Sequence, residues 1–220
     1  TAVKYMRSIN TALLYGLQRG LISENPFRCY NGRLTEVETT FLTKDELQSI
    51  ENKSFISRRL ETVRDIFIFS CYTSYAPVDS MKLTWEDIAK DDDGDLWIIT
   101  KRKKSNVDSN ALLLPGVLSI LEKYKDDPRC IKNNRLLPNI SNQKMNEYLK
   151  EIAVLCNIQK NLTWYVARHT FATTVCMGNQ VPLEYISKMM GHRNVNQTQH
   201  YAKLQDATVK KGFIKITEGK

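Results

Sequence analysis

Three short runs of extended character, KLTWEDI (82–88), LWIIT (96–100) and ALLLP (111–115), stand together in a chain whose other apolar positions recur mostly at helical spacing. They are joined by the turn cluster DDDGD and by the polar stretch KRKKSNVDSN. Strands this close in sequence pair as antiparallel neighbours, because a parallel pair needs a crossover of about a dozen residues or more. The predicted fold is mainly α with a small three-stranded antiparallel β-sheet, whose second connection carries Lys101, Arg102, Lys103 and Lys104.

Helices bracket this sheet. Thr43 and Glu46 have the spacing of a capping box, with Leu42 and Leu47 placed as a hydrophobic staple, so a helix starts at LTKDEL. The run FISRRLETVRDIFIFSCYTS (55–74) is almost wholly apolar towards its end and is expected to cross the core. Beyond Pro115, helices are predicted at 116–125, 142–156, 167–177, 182–190 and 195–204. At the other end, Val3, Met6, Ile9, Leu13 and Leu17 mark a helix that Gly20 closes. It starts abruptly and reads as the end of a domain that begins outside the chain, and residues 24–40, polar and aperiodic, read as a linker.

Charge narrows the partners. Lys and Arg number 32 against 24 Asp and Glu, a net charge of +8, which favours a polyanion: nucleic acid first, an anionic membrane surface second. No apolar run approaches the roughly 20 residues needed to span a bilayer, and the first residues lack the order of a signal peptide. A soluble, cytoplasmic protein with no membrane partner is expected. The five cysteines form no CxxC and no Cys/His pair at metal-ligand spacing, so reduced and mostly buried thiols are expected, with no metal site.

Two segments carry chemistry. The basic connection 101–104 is either a solvated charge run guarding a sheet edge or a narrow hairpin that lays cations on DNA phosphates. In TWYVARHTFATTVCMG, the helix predicted from residue 167 puts Arg168 and His169 in its first turn, where cations oppose the helix dipole unless an anion sits there too. In VPLEYISKMMGHRNVNQTQHYAKL, Pro182 suits a helix start, Gly191 a helix end, and Asn194 or Asn196 the next cap, a pattern shared with helix-turn-helix regulators. Yet Arg168, His192 and Tyr201 together supply a guanidinium clamp, a hydrogen-bond donor and an oxygen nucleophile, which metal-free cleavage of a phosphodiester needs and a regulator does not.

The spelling R-H-T-F-A-T (168–173), then a G-H pair (191–192), then a tyrosine nine residues after that histidine resembles the tyrosine recombinase (phage integrase) family. The resemblance runs from about Phe41 to Leu204 and implies that family's catalytic-domain fold over 41–206, followed by a tail over 207–220. Residues 1–23 would be the last helix of a truncated core-binding domain. It further implies that Tyr201 is the nucleophile, Arg168 the second catalytic arginine, His192 the later histidine, and Lys104 the proton donor to the leaving 5′ oxygen. Tyr165 stands where the family usually has histidine. Lys101, Arg102, Lys103 and Arg193 are expected on the DNA backbone, and His169 and His200 in structural or backbone-contact roles. Double-stranded DNA is the implied partner, engaged by a homo-tetramer that is monomeric when free, with no metal or nucleotide cofactor.

One departure is larger. The family's first arginine usually sits in a T-G-L-R-like segment, and YTSYAPVDSMKL has Ala76 there. Loss of one such donor costs on the order of 10² to 10³ in rate unless another replaces it. Some integrases of conjugative transposons resemble this chain in lacking it, and Arg58, Arg59, Arg64 and Arg102 are candidate substitutes. The implied activity is site-specific integration or recombination through a 3′-phosphotyrosyl intermediate, the rivals being a type IB topoisomerase and a DNA-binding protein of the same fold that has lost catalysis.

Overall fold

In a computed structural model, residues 2–30, 39–104 and 106–202 are described, and they divide into two compact units at Glu38/Thr39. The predicted tail 207–220 and residues 31–38 of the predicted linker lie outside the described residues. In the first unit, helix α1 (Ala2–Gln18) buries no residue, and Gly20, at φ +67°, turns the chain after it.

The second unit is built around α3 (Arg58–Thr73). Val63, Ile66, Phe67, Phe69 and Cys71 are all fully buried, so the helix is apolar on nearly every face and has to be enclosed. Helices α5 (Pro115–Lys125), α7 (Asn142–Leu155) and α8 (Trp164–Thr170) pack around it, with α2 (Lys44–Asn52) alongside. Two polar devices fix the packing. Trp164 donates its indole N–H to Ser70 Oγ at 2.9 Å. The buried Asp65 carboxylate accepts from Arg64, from Lys123 at 2.7 Å and from the Tyr124 hydroxyl at 2.8 Å, which satisfies a charge that would otherwise be costly to bury.

Helix α2 starts as its capping box predicts: Thr43 Oγ1 accepts from the Glu46 N–H, and Glu46 accepts from the Thr43 N–H at 2.7 Å. The sheet is three-stranded and antiparallel in the order β1 (Ile88–Lys90), β2 (Leu96–Ile98), β3 (Ala111–Leu112), with Ile88 opposite Ile98 and Trp97 opposite Leu112. Its first strand begins later than KLTWEDI suggests. Thr84 and Asp87 close a capping box around a single 3₁₀ turn, Trp85–Asp87, and only Ile88 enters the ladder. Past β2 the pairing continues through Ser109 N–H to Thr100 O, the Lys101–Asp108 bridge and Arg102 N–H to Val107 O, so residues 100–102 and 107–109 form the two arms of a hairpin.

Two short helices, α4 (Pro77–Ser80) and α6 (Pro128–Asn133), went unpredicted, each opened by a proline at its first position. A more consequential correction concerns α8, which begins at Trp164 and not at 167. Arg168 and His169 therefore lie in the second turn of a helix that runs on beyond Thr170, so the first-turn dipole argument for an anion at this point does not apply. The chain continues through a π-helical stretch, Phe171–Cys176, onto which α9 (Leu183–Met189) and α10 (Asn196–Ala202) pack. Phe171, Ala172, Cys176, Ile186, Met190 and Tyr201 form a second, smaller apolar cluster there. Of the cysteines, Cys71, Cys130 and Cys176 are buried, Cys156 is half-buried, Cys29 is exposed, and all five are free thiols.

Candidate active site

The turn after α9 organises the site. The Gly191 N–H donates to Lys188 O and the His192 N–H to Ser187 O, both at 3.0 Å, which is the Schellman pattern with glycine at the left-handed position, φ +59°. Glycine is required there for space as well. A Cβ on Gly191 would lie 3.0 Å from Arg102 Cδ, 3.1 Å from Ser109 Cβ and 3.2 Å from Asp108 O, so the turn sits directly against the hairpin. Asn194 then caps α10 by accepting the Asn196 N–H at 2.9 Å.

Arg168 lies at the centre of this region and is 1 % exposed. Its guanidinium donates to Ser74 O at 2.6 Å and Met190 O at 2.5 Å, and its Nη2 lies 3.1 Å from His192 Nε2. An arginine only donates, so His192 Nε2 must accept, and the ring proton must sit on Nδ1, which is 2.7 Å from Thr198 Oγ1. Burial, then the charges of Arg168 and Arg102, push the His192 pKa down to about 4, consistent with a neutral ring. Burial and the neighbouring Arg102 also lower Arg168, to about 10, so it stays a cation at neutral pH.

Tyr201 is 2 % exposed, and its hydroxyl lies 3.1 Å from His169 Nδ1. Burial raises its pKa to about 12, so the resting group is a phenol. Burial, His200 and Arg168 lower His169 to about 4. The rings of Tyr165 and His169 meet edge-on with centroids 5.0 Å apart.

These groups open onto one cleft of about 390 Å³, lined by Arg102, Lys104, Tyr165, His169, His192, Arg193, Gln197, His200 and Tyr201. Arg102 reaches Gly191 O at 3.4 Å. Among the described residues, Arg102 Nε and Arg168 Nε are buried N–H donors without a hydrogen-bond partner, an unusual state, and of the two arginines Arg102 lines the cleft.

A profile described as Phage integrase family matches residues 40–208. The chain belongs to that family. Curated relatives include a tyrosine recombinase of Agathobacter rectalis, 32% identical over 93 residues, and tyrosine recombinase XerD of Staphylococcus saprophyticus, 32% identical over 74 residues. Those stretches cover 39% and 34% of this chain and only 30% and 25% of the relatives, so the chain matches less than a third of either. Solved structures of the same fold include XerA recombinase, at TM-score 0.64 and 19% identity over 87% of this chain and 69% of that one. A lambda integrase dimer bound to a COC′ core site follows at 0.66 and 14%, over 89% and 57%. The Tn1549 transposon integrase in complex with transposon right end DNA matches at 0.62 and 16%, over 89% and 72%.

Against the phage integrase pattern, the structure brings Tyr201, His192, Lys104, Tyr165, Arg102 and Arg193 to one cleft, with Arg168 directly behind His192. It does not bring Lys101 and Lys103 there: Lys101 faces Asp108 across the hairpin at 4.0 Å, and the Lys103 N–H is held by Asp79 at 2.9 Å. Ala76 is the N-cap of α4 and makes no side-chain cap bond. Three candidate substitutes are engaged elsewhere: Arg58 with Asp127, Arg59 with Glu151 over the Tyr148 ring, and Arg64 with Asp65 and Lys53 O. Thr198, Asp79 and the His169 contact with Tyr201 went unread in the sequence, because each acts across separate elements.

Proposed function

We propose that this chain is the catalytic domain of a site-specific DNA recombinase, an integrase of a mobile element, that cuts and rejoins double-stranded DNA through a 3′-phosphotyrosyl bond to Tyr201. The observation that carries the reading is the meeting of a buried tyrosine hydroxyl, a histidine, the unpartnered N–H of Arg102 and a hairpin lysine around one cleft, with Arg168 directly behind the histidine. In the reaction, Tyr201 Oη bonds to the scissile phosphorus while the bond to the 5′ oxygen breaks, and Lys104 gives that oxygen its proton. Arg168 and Arg102 hold the non-bridging oxygens, Arg102 taking the part of the arginine absent at Ala76. Tyr165 donates a phenolic hydrogen bond to the same phosphate.

His192 has a more specific part than its motif implies. In the resting site it is an acceptor from Arg168, so it donates to phosphate only after that contact opens and its proton moves from Nδ1 to Nε2. Lys101, Lys103 and Arg193 contribute phosphate contacts that position the duplex. The phosphotyrosyl bond keeps the energy of the cleaved linkage, so no metal or nucleotide cofactor is called for. The working unit is a homo-tetramer on two duplexes, monomeric when free, in the cytoplasm; among the described residues no helix is long and apolar enough to cross a membrane.

The test is covalent capture. A pool of labelled duplexes with randomised arms, each nicked so that the short released fragment bearing the 5′ hydroxyl diffuses away, is incubated with the protein and resolved on a denaturing gel. Wild type is expected to give a shifted protein–DNA band and Tyr201→Phe none, with native-gel binding of the pool retained by both. An adduct from Tyr201→Phe, or none from wild type, overturns the reading.

A further inference from the structure

We propose that His169 is the base that takes the proton of Tyr201 as it attacks, an inference that rests on Tyr201 being the nucleophile. The family pattern leaves this proton without an obvious acceptor in this chain, because Tyr165 stands three residues before Arg168 and a phenol is a poor base near neutral pH. Four residues further along the same helix, and so on the same face, His169 supplies an imidazole. Its Nδ1 is already 3.1 Å from Tyr201 Oη, within the reach a general base needs. The ring is held on two sides, by Tyr165 from its own helix and by His200 from α10, with centroids 5.0 and 6.4 Å away.

The proton inventory is consistent. With a phenol on one side and a neutral imidazole on the other, a single shared proton lies between them, and the base tautomer carries its own proton on Nε2. The charged and titratable groups around the ring are Arg168 and Tyr165 on α8, His200 and Tyr201 on α10, and across the cleft Arg102, Lys104, His192 and Arg193. Burial first, and then His200 and Arg168, disfavour an imidazolium at His169. A bound phosphate, gaining negative charge as it is attacked, offsets them at the moment the proton moves. The step balances: the Oη–P bond forms, the P–O5′ bond breaks, the phenolic proton passes to His169 Nδ1, and Lys104 supplies a different proton to the leaving oxygen. Rejoining runs the same transfers backwards.

Two measurements test this. In the free protein, ¹⁵N NMR of the imidazoles needs no DNA: His169 is expected to show Nδ1 unprotonated and Nε2 protonated, and a proton on Nδ1 overturns the proposal whatever the protein's activity. With DNA captured by wild type, His169→Gln is expected to slow adduct formation about 10²-fold or more at pH 7. The deficit should shrink towards pH 9.5, because hydroxide then replaces the lost base, and exogenous imidazole should restore part of the rate to His169→Ala. An equal deficit at every pH, or none, assigns His169 a packing role and overturns the base. Failure of Tyr201 itself is separately visible, as an adduct that persists in Tyr201→Phe.

Discussion

Replacing Gly191 by alanine tests whether the turn after α9 and the basic hairpin are one assembly. A left-handed φ of +59° costs a residue with a Cβ roughly 1–2 kcal/mol. The new methyl would also meet Arg102 Cδ at 3.0 Å, Ser109 Cβ at 3.1 Å and the backbone oxygen of Asp108 at 3.2 Å. The arginine stem can swing aside, but Ser109 is buried and Asp108 O belongs to the hairpin backbone, so crowding adds about 1–3 kcal/mol. The sum is about 2–5 kcal/mol, unless the hairpin moves away and separates Arg102 and Lys104 from Tyr201. Gly94→Ala is the matched control: its φ is +94°, and its nearest neighbour is the flexible end of Lys90 at 3.3 Å. Urea unfolding with adduct formation measured in parallel separates the effects. Gly191→Ala is expected to lose at least 1 kcal/mol more than Gly94→Ala and to cleave more than tenfold slower in the folded state. Equal stability losses with unchanged cleavage would refute the close packing of turn on hairpin.

Thr198→Val removes the partner of His192 Nδ1 and nearly preserves shape; it is expected to weaken the preference for the Nδ1–H tautomer, read by ¹⁵N NMR of the ring, with a stability loss of about 1–3 kcal/mol. Ala76→Arg should raise the cleavage rate less than threefold in the wild-type background and at least tenfold when combined with Arg102→Ala; a tenfold gain from Ala76→Arg alone would count against Arg102 as its substitute. Tyr124→Phe deletes one hydrogen bond to the buried Asp65 carboxylate and should cost about 1.5–3 kcal/mol in urea unfolding without altering cleavage per folded molecule.

How much of this was legible in the sequence depended on whether the forces were local. The Thr43–Glu46 box and the Gly191 turn complete their hydrogen bonds within a few residues, and both were readable. The start of α8 was not, because Thr163 supplies no side-chain cap; the first N–H, that of Trp164, is taken by Asn146 Oδ1 of α7 at 2.8 Å. For the site, residue types and spacing named Tyr201, Arg168, His192 and Lys104, but spacing says nothing about which nitrogen of His192 holds its proton. Nor could it separate Arg102, which lines the cleft, from Arg58, Arg59 and Arg64, which do not, since that rests on where a hairpin docks. The contact of His169 with Tyr201 left no trace in the spacing, because the two lie 32 positions apart.

Arg168 ties the corner after α3, through Ser74 O, to the end of α9, through Met190 O, and also touches His192. Position 76, by contrast, holds only the unadorned start of a four-residue helix. The two arginine positions of the family pattern therefore differ in how freely this fold can give them up. Deleting the side chain at 76 leaves the scaffold standing, which the proposed takeover of its electrostatic duty by Arg102 requires. Deleting Arg168 strands two buried carbonyls and unpins the segment that carries the histidine, so its variants would report misassembly and lost catalysis together. In this protein an inactive Arg168 variant is weak evidence for a chemical role unless its folded structure is verified, whereas activity retained without an arginine at 76 is what the architecture permits.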